Sequence, residues 1–358
     1  MSYTIDPIIF GANVLRGRKQ KGWSMDQLSA KTGNKISKAA IAKIEAGQVM
    51  PREKTILLLM EAFGMRPDYF FRSATIDAGL TGIIRSRDPL SERDLSMLLE
   101  ELNHYMEPYL QIEMMSLLRK EFVNPLKGME PVADEQEAED AADFVRHLWH
   151  LGEGALGSIS QIMEERHLKI YMTDTVGKLD GLTALLAPDE PVFLINKNIN
   201  TERRRFTMLF ELAGLVLTFP EEMKMAERER LCSRFAGAML LPQKVLWSRI
   251  GKKRDQLFLQ ELIQLRNSFG ISLGAMMHRL LELRIVGQPL YAQFKAYISK
   301  NPLETGLGGF PVEEKPQRFE RLVLQALSRK MITMSHAADL LQCKLTDLDS
   351  EIRWSNTI

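Results

Sequence analysis

One stretch, from Arg203 to Pro242, sets the terms for everything else in the chain. It reads RRRFTMLFELAGLVLTFP, then EEMKMAERER, then LCSRFAGAMLLP. The first part has helical character and is apolar nearly all round, through Phe206, Met208, Leu209, Phe210, Leu212, Ala213, Leu215, Val216 and Leu217. A helix without a polar face belongs deep inside a domain. A single carboxylate, Glu211, stands in the middle of it. Burying a carboxylate is costly unless it is paired, liganded or protonated. The pairing expected from the residues themselves is with Arg203, Arg204, Arg205 or Arg234.

The run RFTMLFELAGLVL followed by ERLCSRFAGAMLLP resembles the core of the ImmA/IrrE-type metallopeptidases. Those proteins carry RFTLAHELGHLLL, whose H-E-x-x-H sets two zinc-binding histidines one helical turn apart around a general-base Glu. A downstream Glu is their third ligand. The resemblance implies a degenerate site here: Phe210 and Gly214 at the histidine positions, Glu211 as the base and Glu229 as the third ligand. A benzyl ring and a hydrogen atom donate nothing to a metal. A catalytic zinc takes three protein ligands and one open position, so the expectation is no bound metal, no cofactor and no catalytic residue. Positions 210 and 214 are neighbours on one helical face, and the Phe210 ring is expected to fill part of the gap that Gly214 leaves. A glycine inside a helix costs ~1 kcal/mol relative to alanine, so close packing has to compensate.

The length of 358 residues suggests two or three domains. With 45% hydrophobic and 26% charged residues the chain is globular in composition, and the net charge of +1 says little until its distribution is considered. Residues 1–80 hold twelve Lys/Arg against seven Asp/Glu, whereas residues 130–143 hold seven acids and no Lys or Arg. The basic first portion is the candidate for a polyanionic partner. The two cysteines, Cys232 and Cys343, lack a CxxC or His neighbour pattern, which weakens both zinc and disulfide readings. The opening MSYTIDPIIFGAN has no signal-peptide pattern, and no apolar run reaches the length of a membrane span. A cytoplasmic chain is expected.

Residues 8–71 read as five short helices. Ile9–Gln20 comes first. Ser24 and Gln27 form a capping box that opens the second. Ser37 caps the third, which stops at Gly47, and Glu53 starts a fourth that ends near Gly64. Leu15, Leu28, Ile36, Ile41, Ile44, Leu57, Leu58 and Met60 are spaced to converge on one small core. The segment WSMDQLSAKTGNKISKAAIAKIEAGQVMPREKTILLLMEAFGMRPDYF resembles the XRE-type, phage-repressor-like helix-turn-helix domain. In that family the second motif helix lies in the major groove with its N-terminal residues facing base edges. The resemblance thus assigns Ser37, Lys38, Ala39, Ala40 and Lys43 to base edges, and double-stranded DNA as partner. Phosphate contacts are expected from Arg16, Arg18, Lys19, Lys31 and Lys35. Two extra residues, Asn34 and Lys35, stand in the turn, and Ala39 replaces a glutamine that often reads adenine. Specificity is therefore expected to lean more on Lys38, Lys43, Ser37, thymine-methyl contacts and DNA shape.

The expected fold class is mainly α with a small β-sheet. The expected division is a helix-turn-helix domain over 1–75 and a linker with a long helix and an acidic connector over 76–143. A metallopeptidase-like domain over 144–290 and a helical region over 291–358 follow. In the linker, Leu95, Leu98, Leu102, Tyr105, Tyr109, Ile112 and Met115 recur by threes and fours, with a kink expected at Pro108. Two readings stay open there, a two-fold homodimer seam or a helix lying on its own domain. Leu168–Met172, Leu182–Ala187 and Pro191–Asn196 read as strands, and the resemblance makes Val192–Asn196 a candidate peptide or ligand groove. His278 reads as a core residue. Gln288–Pro316 is loop-rich, and Phe319–Ser328 and Met334–Leu341 read as amphipathic helices. The resulting functional expectation is a DNA-binding regulator, in the first instance a repressor, whose protease-like domain senses a small ligand or binds a protein. An antitoxin that binds its toxin and represses its own operon is the alternative, and a working metallopeptidase is disfavoured by the missing ligands.

Overall fold

The structure is a computed structural model that describes residues 7–65, 69–70, 91–115, 120–174, 179–186 and 190–348. Pro67 and Asp68, which with Tyr69 and Phe70 read as the fifth of the short helices, the Gly- and Arg-containing stretch 72–90 that reads as irregular, the strand-bounding turns at Gly177 and Pro188-Asp189, and Asp349 and Glu351 of the acidic tail lie outside the described residues. The chain is mainly helical with one three-stranded sheet, and it divides into two compact units.

The first unit is built on α1 (Pro7–Gln20), α2 (Met25–Lys31), α3 (Lys38–Glu45) and α4 (Glu53–Phe63). Local chemistry fixes their ends. The Ser24 hydroxyl accepts from the Gln27 amide at 3.1 Å, and the Gln27 side chain accepts from the Ser24 amide at 2.7 Å. Ser37 caps α3 through the Ala40 amide, and Gly64 ends α4 in the left-handed region. The core is Phe10, Val14, Leu28, Ile36, Ile41, Ile44, Leu59, Phe63 and Phe70. The expected core residues Leu28, Ile36, Ile41 and Ile44 are in it, but Leu57 is 54% exposed. Helix α4 buries Leu59 and Phe63, four residues apart, and this turns Leu57 outward.

A long helix, α5 (Glu92–Met115), runs without interruption through Pro108. Leu98, Leu102, Tyr109 and Ile112 of its heptad-like seam are buried within the chain. At its N-terminal end Glu101 accepts hydrogen bonds from the hydroxyls of Tyr171 at 2.6 Å and Thr173 at 2.8 Å. Of the two open readings, the helix lying on its own domain fits these contacts.

The second unit contains α6 (Glu135–Leu148), α7 (Ile159–Glu165), β1 (Lys169–Thr173), β2 (Gly181–Leu186) and β3 (Glu190–Asn196). It continues through α8 (Thr201–Val216), α9 (Met225–Leu240), α10 (Gln243–Arg249), α11 (Leu259–Phe269), α12 (Leu273–Glu282) and α13 (Gln288–Ile298). Helices α14 (Arg318–Ser328) and α15 (Met334–Leu340) follow, and the division between the units falls within α14. The sheet order is β1-β3-β2, with β1 parallel and β2 antiparallel to β3. The three strands stand within two residues of their expected places, but β3 is central. Its backbone is paired on both sides, so Val192–Asn196 is no open edge for a peptide groove.

The acidic run is the largest departure from the sequence reading. Residues 135–148, expected to be partly connector, form α6, which Asp134 caps through the amides of Gln136 and Glu137. Its Ala138, Ala141, Ala142 and Val145 enter the main core, and its acids other than Glu139 are exposed or half-buried. Within the seven-acid run Glu139 turns inward, where Arg234 and Arg279 both pair with it. The second unit takes in the stretch Lys120–Gln325 together with the helix residues up to Leu102.

Buried arginines tie distant parts of this unit together. Arg205, on the first turns of α8, is fully buried and donates to the carbonyls of Leu156, Gly157, Phe269 and Gly270. Its carboxylate partner is Glu314 at 2.5 Å, and the Phe310 ring lies 4.0 Å from the guanidinium. Glu314 also accepts from the amides of Ile159 and Ser160 and from both serine hydroxyls of that turn. Arg266 joins Glu202 and Glu304, and Glu304 accepts the first amides of α12. Of the stretch Gln288–Pro316, expected to be loop-rich, residues Gln288–Ile298 are instead the helix α13, and the irregular remainder is strapped down by two carboxylates. Arg146 donates mainly to carbonyls (Gly152, Gly154, Met239), and burial lowers its pKa to about 10. His278 is 54% exposed and pairs with Glu282, whose hydrogen bond raises its pKa, so it is not the core residue expected.

Removing one partner of a buried pair leaves the other charge uncompensated, at a cost of ~3–5 kcal/mol. Glu314→Ala is expected to destabilise the second unit on that scale in urea unfolding, whereas Lys244→Ala, which breaks an exposed pair with Glu153, should leave the midpoint unchanged.

Candidate functional site

Helix α3 presents one face to the core and the other to solvent. Ile41 and Ile44 are buried, whereas Ser37, Lys38, Ala39 and Lys43 are exposed. Ala40, also expected at the base edges, is half-buried against the core. Ser37 uses its hydroxyl on the Ala40 amide. Lys38 meets Asp26 at 2.8 Å, but both side chains are more than 60% exposed. Exposed pairs of this kind are worth ~0–1 kcal/mol, so Lys38 is available to exchange its partner.

Around this face stand Lys31 and Lys35, both exposed. Lys31 and Lys21 lie 5.6 Å and 6.0 Å from the Trp23 ring, which holds two cations on one side of α2. The side chains of Arg16 and Lys19 lie outside the described residues. Arg18 is differently placed from Lys31 and Lys35. Its Nε and Nη2 donate to the two carboxylate oxygens of Glu45 at 2.6 and 2.7 Å, and Nη1 donates to the Trp23 carbonyl. The Glu45 hydrogen bond raises the Arg18 pKa. With the side chain 12% exposed, Arg18 braces the C-terminal end of α3 against α1. A Cβ built on Gly11 of α1 would stand 2.0 Å from the Ile44 carbonyl oxygen, so the two backbones meet directly.

In the second unit, Asn200 caps α8 through the Arg203 amide, and the helix buries Met208, Leu209, Glu211, Leu212 and Ala213. Glu211 is 3% exposed and accepts a 2.7 Å hydrogen bond from the Thr183 hydroxyl on β2. The four arginines expected to pair with it are engaged elsewhere. Arg203 holds Asp180, Arg204 reaches the carbonyls of Ile199 and Glu314, Arg205 holds Glu314 and Arg234 holds Glu139. Nothing in the sequence points to Thr183, because a threonine in an apolar strand carries no signal that it faces a helix. Phe210 is half-buried against the main core, and Gly214 and Glu229 are half-buried as well. Among the described residues no group of three His, Cys, Asp or Glu side chains is arranged to hold a metal ion.

Comparison with known families finds one match in each unit. Residues 15–70 match the helix-turn-helix family model, and residues 167–281 match that of the IrrE N-terminal-like domain. The chain joins an XRE-type helix-turn-helix to an IrrE-like domain. No curated protein and no solved structure matches it significantly. The helix-turn-helix match spans α2, α3 and α4, and the IrrE-like match runs from just before β1 to the last turn of α12. Helix α6, although part of the same core, lies before that match.

Glu45→Gln removes one charge from the brace behind the helix-turn-helix. A hydrogen bond to a charged group contributes ~1.5–3 kcal/mol, so this variant is expected to unfold earlier on heating, although Glu45 is not assigned to base edges.

Proposed function

We propose that this chain is a sequence-specific DNA-binding regulator, a repressor in the first instance, whose IrrE-like domain serves as a platform for a ligand or protein rather than as a hydrolase. The observation that carries the reading is the exposed face of α3. Its solvent side offers Lys38, Ala39 and Lys43, while its inner side and the Arg18–Glu45 brace hold it rigidly. A recognition helix needs that combination, since base readout depends on a few side chains held in fixed register. Lys38 and Lys43 supply donors for guanine edges or phosphates, Ala39 offers a methyl contact to thymine, and Lys31 and Lys35 supply phosphate contacts. Arg18 leaves the phosphate set and becomes a positioning residue.

The donor chemistry of the second unit supports the loss of hydrolysis. A catalytic zinc of the IrrE-like type does not fit the side chains present, because Phe210 and Gly214 provide no lone pair. Glu211 is oriented by Thr183, which gives that carboxylate a structural partner in place of a metal-bound water.

Lys43→Ala is expected to weaken binding to the cognate site by ~1–3 kcal/mol if it reads a base, and Lys35→Ala to lower the salt slope by ~1 as a phosphate contact. A gel shift with the native upstream DNA over a range of salt checks both, and failure of the unaltered protein to prefer any sequence defeats the reading. Purified protein is expected to hold far less than one zinc per chain by elemental analysis. Near-stoichiometric zinc with peptide cleavage that a chelator abolishes overturns the platform assignment.

A further inference from the structure

The second unit carries a cationic turn that the proposed function does not use. It lies between α10 and α11, in the run RIGKKRD from Arg249 to Asp255. Arg249, Lys252 and Lys253 are exposed, and so is Arg284. Arg284 adjoins Ile285, whose carbonyl accepts the Arg254 amide at 2.7 Å, so the two backbones meet at this point.

The turn is built rather than loose. Ile250 is buried, and the amides of Ile250 and Gly251 continue the bonding of α10 onto Leu246 and Trp247. Gly251 has φ +100°, a backbone region that favours glycine. Arg254 is the anchor. Its guanidinium donates to the Ile250 carbonyl and to both oxygens of Glu261, which neutralises that carboxylate. Lys252 stands 4.9 Å from the half-buried Trp247 ring, which limits where its ammonium can go. Asp255 is the acid exposed in the turn itself. Four exposed cations thus face one such acid, with an indole and the exposed Phe258 ring alongside.

We propose that this turn is a second binding surface for the sugar–phosphate backbone of duplex DNA, contributed by the IrrE-like unit. Cations clustered on an anchored turn release condensed counterions from a polyphosphate, and that release is a sequence-independent source of affinity. Contacts to the sugar–phosphate backbone carry no sequence information, so the turn adds affinity without sequence preference. The inference goes beyond the regulator reading and does not need α3 to read bases.

The test uses the full-length chain and fluorescence anisotropy on a non-cognate duplex across a series of salt concentrations. The variant Arg249→Gln/Lys252→Gln/Lys253→Gln/Arg284→Gln is compared with the unaltered chain and with Lys38→Ala/Lys43→Ala. Removing one cation from a phosphate lowers the slope of log K against log salt by ~0.9, so the four-site variant is expected to lose two to three from that slope. Its affinity for any duplex should fall at least tenfold at low salt, with the cognate-to-non-cognate ratio unchanged. Thermal unfolding and circular dichroism matching the unaltered chain show that the folded protein is being compared. If the variant melts early, Lys252→Glu/Lys253→Glu in the exposed part of the turn gives the same readout. Unchanged slope and affinity in a folded variant overturn the inference, and so does binding of anionic phospholipid vesicles without binding of DNA. Sequence preference that survives Lys38→Ala/Lys43→Ala counts instead against the α3 reading, so the two failures are distinguishable.

Discussion

Burial of guanidinium groups with carboxylates is the constraint on which the second unit depends. Arg205 is fully buried on α8 and pairs with Glu314, more than a hundred residues later. Glu139 of α6 is shared by Arg234 of α9 and Arg279 of α12. Such charges are tolerated only when nearly every donor and lone pair is used. Arg205 meets this by donating to four carbonyls besides its carboxylate. The pairs therefore act as address labels, since each admits only the segment that brings the matching charge. This accounts for the close attachment of the irregular 299–317 region, which has few apolar side chains to hold it.

The same network explains how the apolar helix is used. Hydrophobic burial drives α8 into the core but is non-directional. Arg205 at one end, the Asn200 cap and the Thr183–Glu211 hydrogen bond set its rotation and depth. Phe210 and Gly214 then fall on the half-buried side of the helix, beside the core rather than in it.

Much of the first unit is legible in the chain because its signals are local. Ser24, Gln27, Ser37 and Gly64 act within one turn of their own positions, and each does what its residue type implies. The three strands are visible as short apolar runs. What cannot be read is partnership across the sequence. Arg18 resembles a phosphate ligand because Glu45 is twenty-seven residues away. Glu139 resembles one acid of a solvated run, because nothing in its neighbourhood announces Arg234 and Arg279. The order β1-β3-β2 is likewise a long-range fact, and it alone decides that Val192–Asn196 is interior. The absence of imidazole at 210 and 214, by contrast, is plain from the residues themselves.

The close meeting of Gly11 with the Ile44 carbonyl has a consequence for how such a head diversifies. The tilt of α3 is set by main chain and by residues behind it, and the exposed side chains at 38, 39 and 43 add little, since the one ion pair among them, Lys38–Asp26, is open to solvent. Those three positions stand outside the core, so they can vary at small cost to the fold. Substitutions there change the chemistry that the helix displays, and the scaffold that displays it stays the same.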